Sequence, residues 1–135
     1  IKKIESDRIE LEGQIQSLKK QYAADLATAE SEKLRIQSEL KEAEAELKRR
    51  LKTLEAHSRT ERRTEVVIET PYRNDRLLRA IAATCADDTL LCVATDLTLP
   101  TEEITTRTVA QWRAAAPQIG KRPTVFLLLA GPRGR

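Results

Sequence analysis

Sixteen positions between Ile1 and Leu54 recur at steps of three and four residues: Ile1, Ile4, Arg8, Leu11, Ile15, Leu18, Tyr22, Leu26, Ala29, Lys33, Ile36, Leu40, Ala43, Leu47, Leu51 and Leu54. Fourteen of the sixteen are apolar. A helix with so narrow a stripe cannot satisfy it alone in water, so the pattern predicts a coiled coil with a partner helix. The alternation breaks at Tyr22–Leu26 and Leu47–Leu51, where two steps of four follow one another. Such stutters locally relax a left-handed supercoil. Glu30, Glu32, Glu39, Glu42, Glu44, Glu46, Lys41 and Lys48 occupy the flanks, with i to i+4 pairs such as Glu44–Lys48. At 1.5 Å per residue, a helix over 1–63 is a rod of roughly 95 Å. The 72 residues that follow are too few to cover it, so self-association through the 1–54 seam is expected. A parallel homodimer is its simplest form. Arg8, Lys33, Ala29 and Ala43 weaken the seam. Two other arrangements are open: a single amphipathic helix packed on its own domain, and a helical hairpin. No Pro or Gly turn supports a hairpin between Gln16 and Leu54.

The composition changes abruptly after Arg63. The first 63 residues carry 15 basic and 13 acidic side chains, no Pro and one Gly, whereas the rest hold all five prolines, both cysteines and the only Trp and Phe. The boundary falls near 57–64. Beyond it, Thr64–Glu69 reads as a short strand closed by Thr70-Pro71. Asn74 is a good N-cap and Asp75 complements the first turn of a helix whose apolar face is Leu77, Leu78, Ile81, Ala82 and Cys85. Thr89–Thr95 is a second strand, and the link between the two strands is long enough for a β-α-β crossover. Glu103–Arg107 reads as a third strand, Val109, Trp112 and Ala116 as a short helix ended by Pro117, and Pro123–Ala130 as the most hydrophobic strand. Strands apolar on both faces suit a sheet covered by helices. The predicted class is therefore α/β: a long N-terminal coiled-coil helix (1–63), a small mixed domain of three to four strands and two helices (64–130), and a tail (131–135). No apolar run approaches membrane-spanning length, and the opening IKKIESDRIELEG has none of signal-peptide length, which predicts a cytoplasmic chain with no membrane partner. A chain that begins with Ile1 rather than Met reads as an excerpt of something longer.

Chemistry has few places to sit. In open α/β sheets, ligands gather beyond the carboxyl ends of the strands. If the first two strands run parallel, Glu69–Asn74 and Thr95–Thr98 share that edge and supply Asp96, Arg73, Tyr72, Asn74, Thr70 and Thr98 to a polar ligand. Ordinary turn chemistry uses the same residues: Thr70-Pro71 to bend, Asn74 to cap, and Arg73 to pair with Glu69 or Asp96. His57 stands on a polar helix end with no partner at metal-ligand spacing. Cys85 and Cys92 read as small core residues, not as a redox or zinc pair. The glycines are too scattered for a phosphate loop. Residues 48–63 hold seven basic and two acidic groups, which either contact RNA phosphates or simply solvate a helix end.

Three segments resemble a known family. They are 69–74 (ETPYRN), 91–100 (LCVATDLTLP) and 121–129 (KRPTVFLLL), and they resemble the C-terminal half of the S-adenosylmethionine-dependent methyltransferases of the tetrapyrrole (corrin/porphyrin) methylase superfamily. The nearest branch looks like the ribosomal RNA small-subunit 2′-O-methyltransferases. The likeness spans roughly 44–130, since 46–55 (ELKRRLKTLE) looks like the helix that precedes the first strand there. The resemblance implies a homodimeric two-domain enzyme with S-adenosylmethionine in the cleft between its domains. Thr70, Pro71, Tyr72, Arg73, Asn74 and Asp96 are the residues it implies at the cofactor, and ribosomal RNA is an implied partner. The glycine-rich N-terminal domain of that family has no counterpart in 1–43. The expected molecule is a coiled-coil dimer carrying half of a cofactor cleft, inactive by itself. The alternative is a structural module whose function is the coil.

Overall fold

The computed structural model describes residues 1–132. Contacts divide the chain into two compact units, Ile1–Ala43 and a second beginning at Glu44. The first unit is α-helix, part of α1 (Lys2–Glu61). All of its side chains are exposed, and the seam is no exception: Leu11 is 57% and Leu18 69% exposed. No helix of the described residues is long and apolar enough to cross a membrane.

The second unit begins with the remaining turns of α1. Here the same stripe finds a home within the unit, because Leu51 is 1% exposed and Leu47 packs against the core from its margin. The helix stops at Arg62, whose φ of 53° puts a non-glycine residue in the left-handed conformation that ends many helices. The Ser58 hydroxyl, fully buried, donates to the Arg63 carbonyl at 2.6 Å and accepts from the Ala130 N–H at 2.9 Å.

β1 (Glu65–Ile68), α2 (Asn74–Thr84), β2 (Leu90–Thr95), β3 (Glu103–Thr108), α3 (Val109–Ala114) and β4 (Thr124–Leu129) follow in chain order. The segments expected as strands are strands, within a residue or two. The sheet order is β1-β4-β2-β3, and every neighbouring pair is antiparallel. Since β4 is antiparallel to both β1 and β2, those two strands run in the same direction without touching. The crossover through α2 therefore skips one strand position, into which the last strand inserts. β4 pairs Phe126 with both Val67 and Val93.

Leu91, Val93, Phe126 and Leu128 point to the helical layer and join Leu51, Leu77, Leu78, Ile81, Val109 and Trp112 in one core. Side chains alternate across a strand, so the other face carries Val66, Ile68, Leu90, Cys92, Ala94, Ile104, Val125, Leu127 and Leu129, with threonines and no charged group. This corrects the expectation of helices on both faces. Within the described residues the helices cover one face only, and Val66, Ile68 and Ile104 are 58%, 71% and 59% exposed on the other. Cys92 accordingly sits half-buried on the open face, not in the core, whereas Cys85 is a core residue.

Glu55, in the last turns of α1, is buried and ties the domain together. Its carboxylate accepts from the Ala86 N–H at 2.9 Å and the Thr89 hydroxyl at 2.7 Å. Burial, reinforced by this neighbouring carboxylate, pushes the Cys85 thiol up to about 12 from an ordinary 9.0. Because the folded value is raised, the neutral thiol is favoured in the native state and its contribution is complete below pH 9. That contribution drains away as pH rises from 9 toward 12. A urea midpoint followed across this range is expected to fall more steeply in the parent protein than in Cys85→Ala. Parallel curves would contradict the assignment.

Candidate functional site

The same-direction run of β1 and β2 brings their carboxyl ends to one edge of the sheet, where β4 begins. A groove of about 390 Å³ opens there. Ile68, Pro71, Ala94, Leu97, Leu99 and Val125 supply apolar walls, with Glu69, Asp96, Pro123 and Thr124 among them. All three sequence segments that share the family resemblance contribute to this groove: 69–74 through Glu69 and Pro71, 91–100 through Ala94 to Leu99, and 121–129 through Pro123 to Val125.

Asp96 is the buried charge of the site, 6% exposed. Its backbone N–H donates to the Pro123 carbonyl at 2.9 Å, extending the β2–β4 ladder by one bond. The carboxylate accepts from the Thr101 hydroxyl at 2.9 Å and lies 3.8 Å from the Arg122 guanidinium. Arg122 also donates to the Ile119 carbonyl and approaches Glu103 at 3.6 Å. Asp96 and Thr98 have φ of 50° and 69°. Asp tolerates this region, but for a β-branched residue it is strained. The loop over the groove is held in that shape by the Thr98 N–H donating to Glu102 at 3.0 Å and by turn bonds from Leu99 to Asp96 and from Glu102 to Leu99.

The Thr70–Asn74 segment divides in two. Thr70, Pro71, Tyr72 and Arg73 are exposed. Thr70 donates from its N–H to Glu69 at 2.9 Å, and its carbonyl accepts from the Arg73 N–H at 2.9 Å to close a 3₁₀ turn. Arg73 approaches Glu69 at 3.7 Å and lies over the Tyr72 ring at 5.2 Å. Of the two carboxylates offered to it by the sequence, Arg73 pairs with Glu69, while Asp96 pairs with Arg122. Tyr72 and Arg73 do not line the groove.

Asn74 is not the N-cap. Arg73 occupies that position without a side-chain cap bond, and Asn74 is already helical. It is fully buried, and its amide nitrogen is directed at the Gly120 carbonyl (3.1 Å), the Arg122 carbonyl (2.6 Å) and the Thr124 hydroxyl (3.3 Å). Asp75 adds its carboxylate to the same segment, accepting from the Ile119 N–H at 2.7 Å and the Gly120 N–H at 3.2 Å. The side chains expected to start α2 instead clamp the loop that leads into β4. This loop needs such a clamp because Gly120 turns at φ 74° with no ladder partner of its own. Sequence reasoning missed Arg122, Thr101, Leu97 and Leu99. The Lys121-Arg122-Pro123 lead-in was visible as a motif, but nothing local in it points at Asp96, 26 residues earlier.

Elsewhere, among the described residues, three of the seven basic groups in 48–63 are engaged: Arg49 with Glu46, Arg59 with Glu55, and Arg63 with both Glu61 and Glu65.

No family model and no curated protein matches the chain. Among solved structures it is similar to the methyltransferase CobJ, with a TM-score of 0.41 and 21% sequence identity. That similarity covers 63% of this chain and 36% of the other, so the chain spans about a third of the length of that protein.

Proposed function

We propose that residues 44–130 form the C-terminal domain of an S-adenosylmethionine-dependent methyltransferase of the tetrapyrrole methylase type, with ribosomal RNA or a tetrapyrrole as the acceptor class in the full-length relative. The observation that carries this reading is convergence: three segments separated along the chain, each resembling the same family, meet at one groove on the carboxyl edge of the sheet. In this reading Pro71 and Asp96 stand on one wall of a cofactor cleft, and Thr70 lies beside that wall without lining it. Tyr72 and Arg73 border it from the exposed turn, and Asn74 holds the wall's shape from behind. The groove is mostly apolar with one buried carboxylate, a composition suited to a flat heteroaromatic ring with polar substituents.

One wall does not make an active site. Methyl transfer requires donor and acceptor held in line in a water-poor cavity, and the groove is open to solvent. The 135-residue chain is therefore expected to give no titratable heat with S-adenosylmethionine at micromolar concentrations in isothermal calorimetry. Micromolar binding would make the groove a complete site by itself and remove the half-cleft reading.

A second reading, in which coil assembly is the function, draws on the first unit. Its apolar seam is exposed throughout, and exposed apolar stripes of this extent indicate interaction surfaces. Both readings share one element: the helix joins two copies of the chain into a homodimer.

A further inference from the structure

We propose that Ile1–Ala43 pairs with the same segment of a second copy in the antiparallel sense, with Tyr22 of both copies on the two-fold axis. This rests on the self-association read from the seam, and adds its direction.

Three observations carry it. The first is the symmetry of the seam. Counted from Tyr22 toward Ile1, its steps are 4, 3, 4, 3, 4, 3, and counted from Tyr22 toward Ala43 they are again 4, 3, 4, 3, 4, 3. The stutter at Tyr22–Leu26 is what makes the two directions equal. A reversed copy therefore meets it layer for layer: Ile1 against Ala43, Ile4 against Leu40, Leu18 against Leu26.

The second is where the seam runs out. In a parallel pair the layers after Ala43 would be Leu47 and Leu51 of both copies. Leu51 is 1% exposed within its own unit, and Leu47 is packed at the margin of the same core. Neither is offered to a partner. In the antiparallel pair the seam closes at Ala43 against the other copy's Ile1, and makes no demand on Leu47 or Leu51. The symmetric stretch of seam and the first compact unit end at the same residue.

The third is charge. A parallel pair in register stacks Arg8 on Arg8 and Lys33 on Lys33, two layers of like charge facing each other across the interface. Reversal separates them. Arg8 then opposes Ile36 of the other copy and Lys33 opposes Leu11. The long side chains can lay their methylenes over those apolar partners and reach out to acids on the flanks. Asp7 and Glu12 near Arg8, and Glu32 and Glu39 on either side of Lys33 and Ile36, provide four carboxylates around these two bases. Arg8 already turns to Glu12 at 3.1 Å within its own helix.

The test is a distance between spin labels in the full chain. Cys92→Ser removes the accessible thiol, and Ser6→Cys or Ser17→Cys places one label on the outer face of each helix. For an antiparallel pair about Tyr22, at 1.5 Å per residue, Ser6 labels lie about 48 Å apart and Ser17 labels about 15 Å apart along the axis. A parallel pair gives short distances at both sites, within about 25 Å, and that result overturns the proposal. If neither site shows dipolar coupling and sedimentation finds a single-chain particle, self-association itself is wrong. That failure is distinguishable from a wrong direction.

Discussion

Asn74→Asp is expected to be the most damaging near-isosteric change in the α/β unit, costing about 3–4 kcal/mol of unfolding free energy. The amide nitrogen points at two backbone carbonyls and a hydroxyl, at 2.6 to 3.3 Å. A carboxylate of the same shape turns two of those attractions into contacts between oxygens in a site with no exposure to water. Asn74→Ala removes the repulsion but leaves the Gly120 and Arg122 carbonyls short of a donor, so about 2 kcal/mol is expected. The probe is built in: Trp112 is the only tryptophan, 2% exposed, and lies in the core of this unit. Urea unfolding followed by its fluorescence reads the loss directly. An Asp variant as stable as the parent would show that the amide does not hold the loop.

Leu51→Ala carries the second large effect, about 3 kcal/mol, by emptying a site in the main core. Leu26→Ala changes the same transition by much less than 1 kcal/mol, because Leu26 is 46% exposed and lies in the other unit. The contrast tests whether one continuous heptad-like pattern serves two purposes. Equal effects on the Trp112 transition would contradict the division at Ala43. Conversely, removing residues 1–43 is expected to leave that transition in place while sedimentation changes from dimer to monomer.

The elements themselves were legible because their signals are local. Val66-Val67-Ile68, Leu90–Thr95 and Thr124–Leu129 are β-branched or apolar runs bounded by prolines and polar turns, and each is a strand. The capping of α3 is equally local: Thr108 accepts from the Gln111 N–H while the Gln111 side chain accepts from the Thr108 N–H, a reciprocal box of four residues. What the residues did not reveal was non-local. An apolar strand is the same string whether one of its faces meets helices or solvent, so its pattern predicts a covered outer face where, among the described residues, no helix lies. Asn74 has the chemistry of an N-cap at the right position. Its actual partners lie 46 to 50 residues away, where no spacing rule reaches. The helix seam was legible as a stripe, yet nothing in its period announces that Leu51 turns to its own sheet while Leu26 does not. The site followed the same division: the edge formed by β1 and β2 could be anticipated from strand direction, but the arginine that answers Asp96 arrives with β4.

That late strand has a consequence for how the protein comes into being. With order β1-β4-β2-β3, the interior of the sheet is completed by β4, the latest in chain order of its four strands. As the chain leaves the ribosome, β2 and β3 can zip into a hairpin at once, but β1 has no neighbour until residues 124–129 appear, and Phe126 cannot yet fill the space between Val67 and Val93. The nascent domain therefore waits with a slot in its middle and grease on both sides of it. The sheet cannot close until residues 124–129 have been made, and a chain cut before Thr124 should leave a product for the proteases rather than a slightly shorter domain.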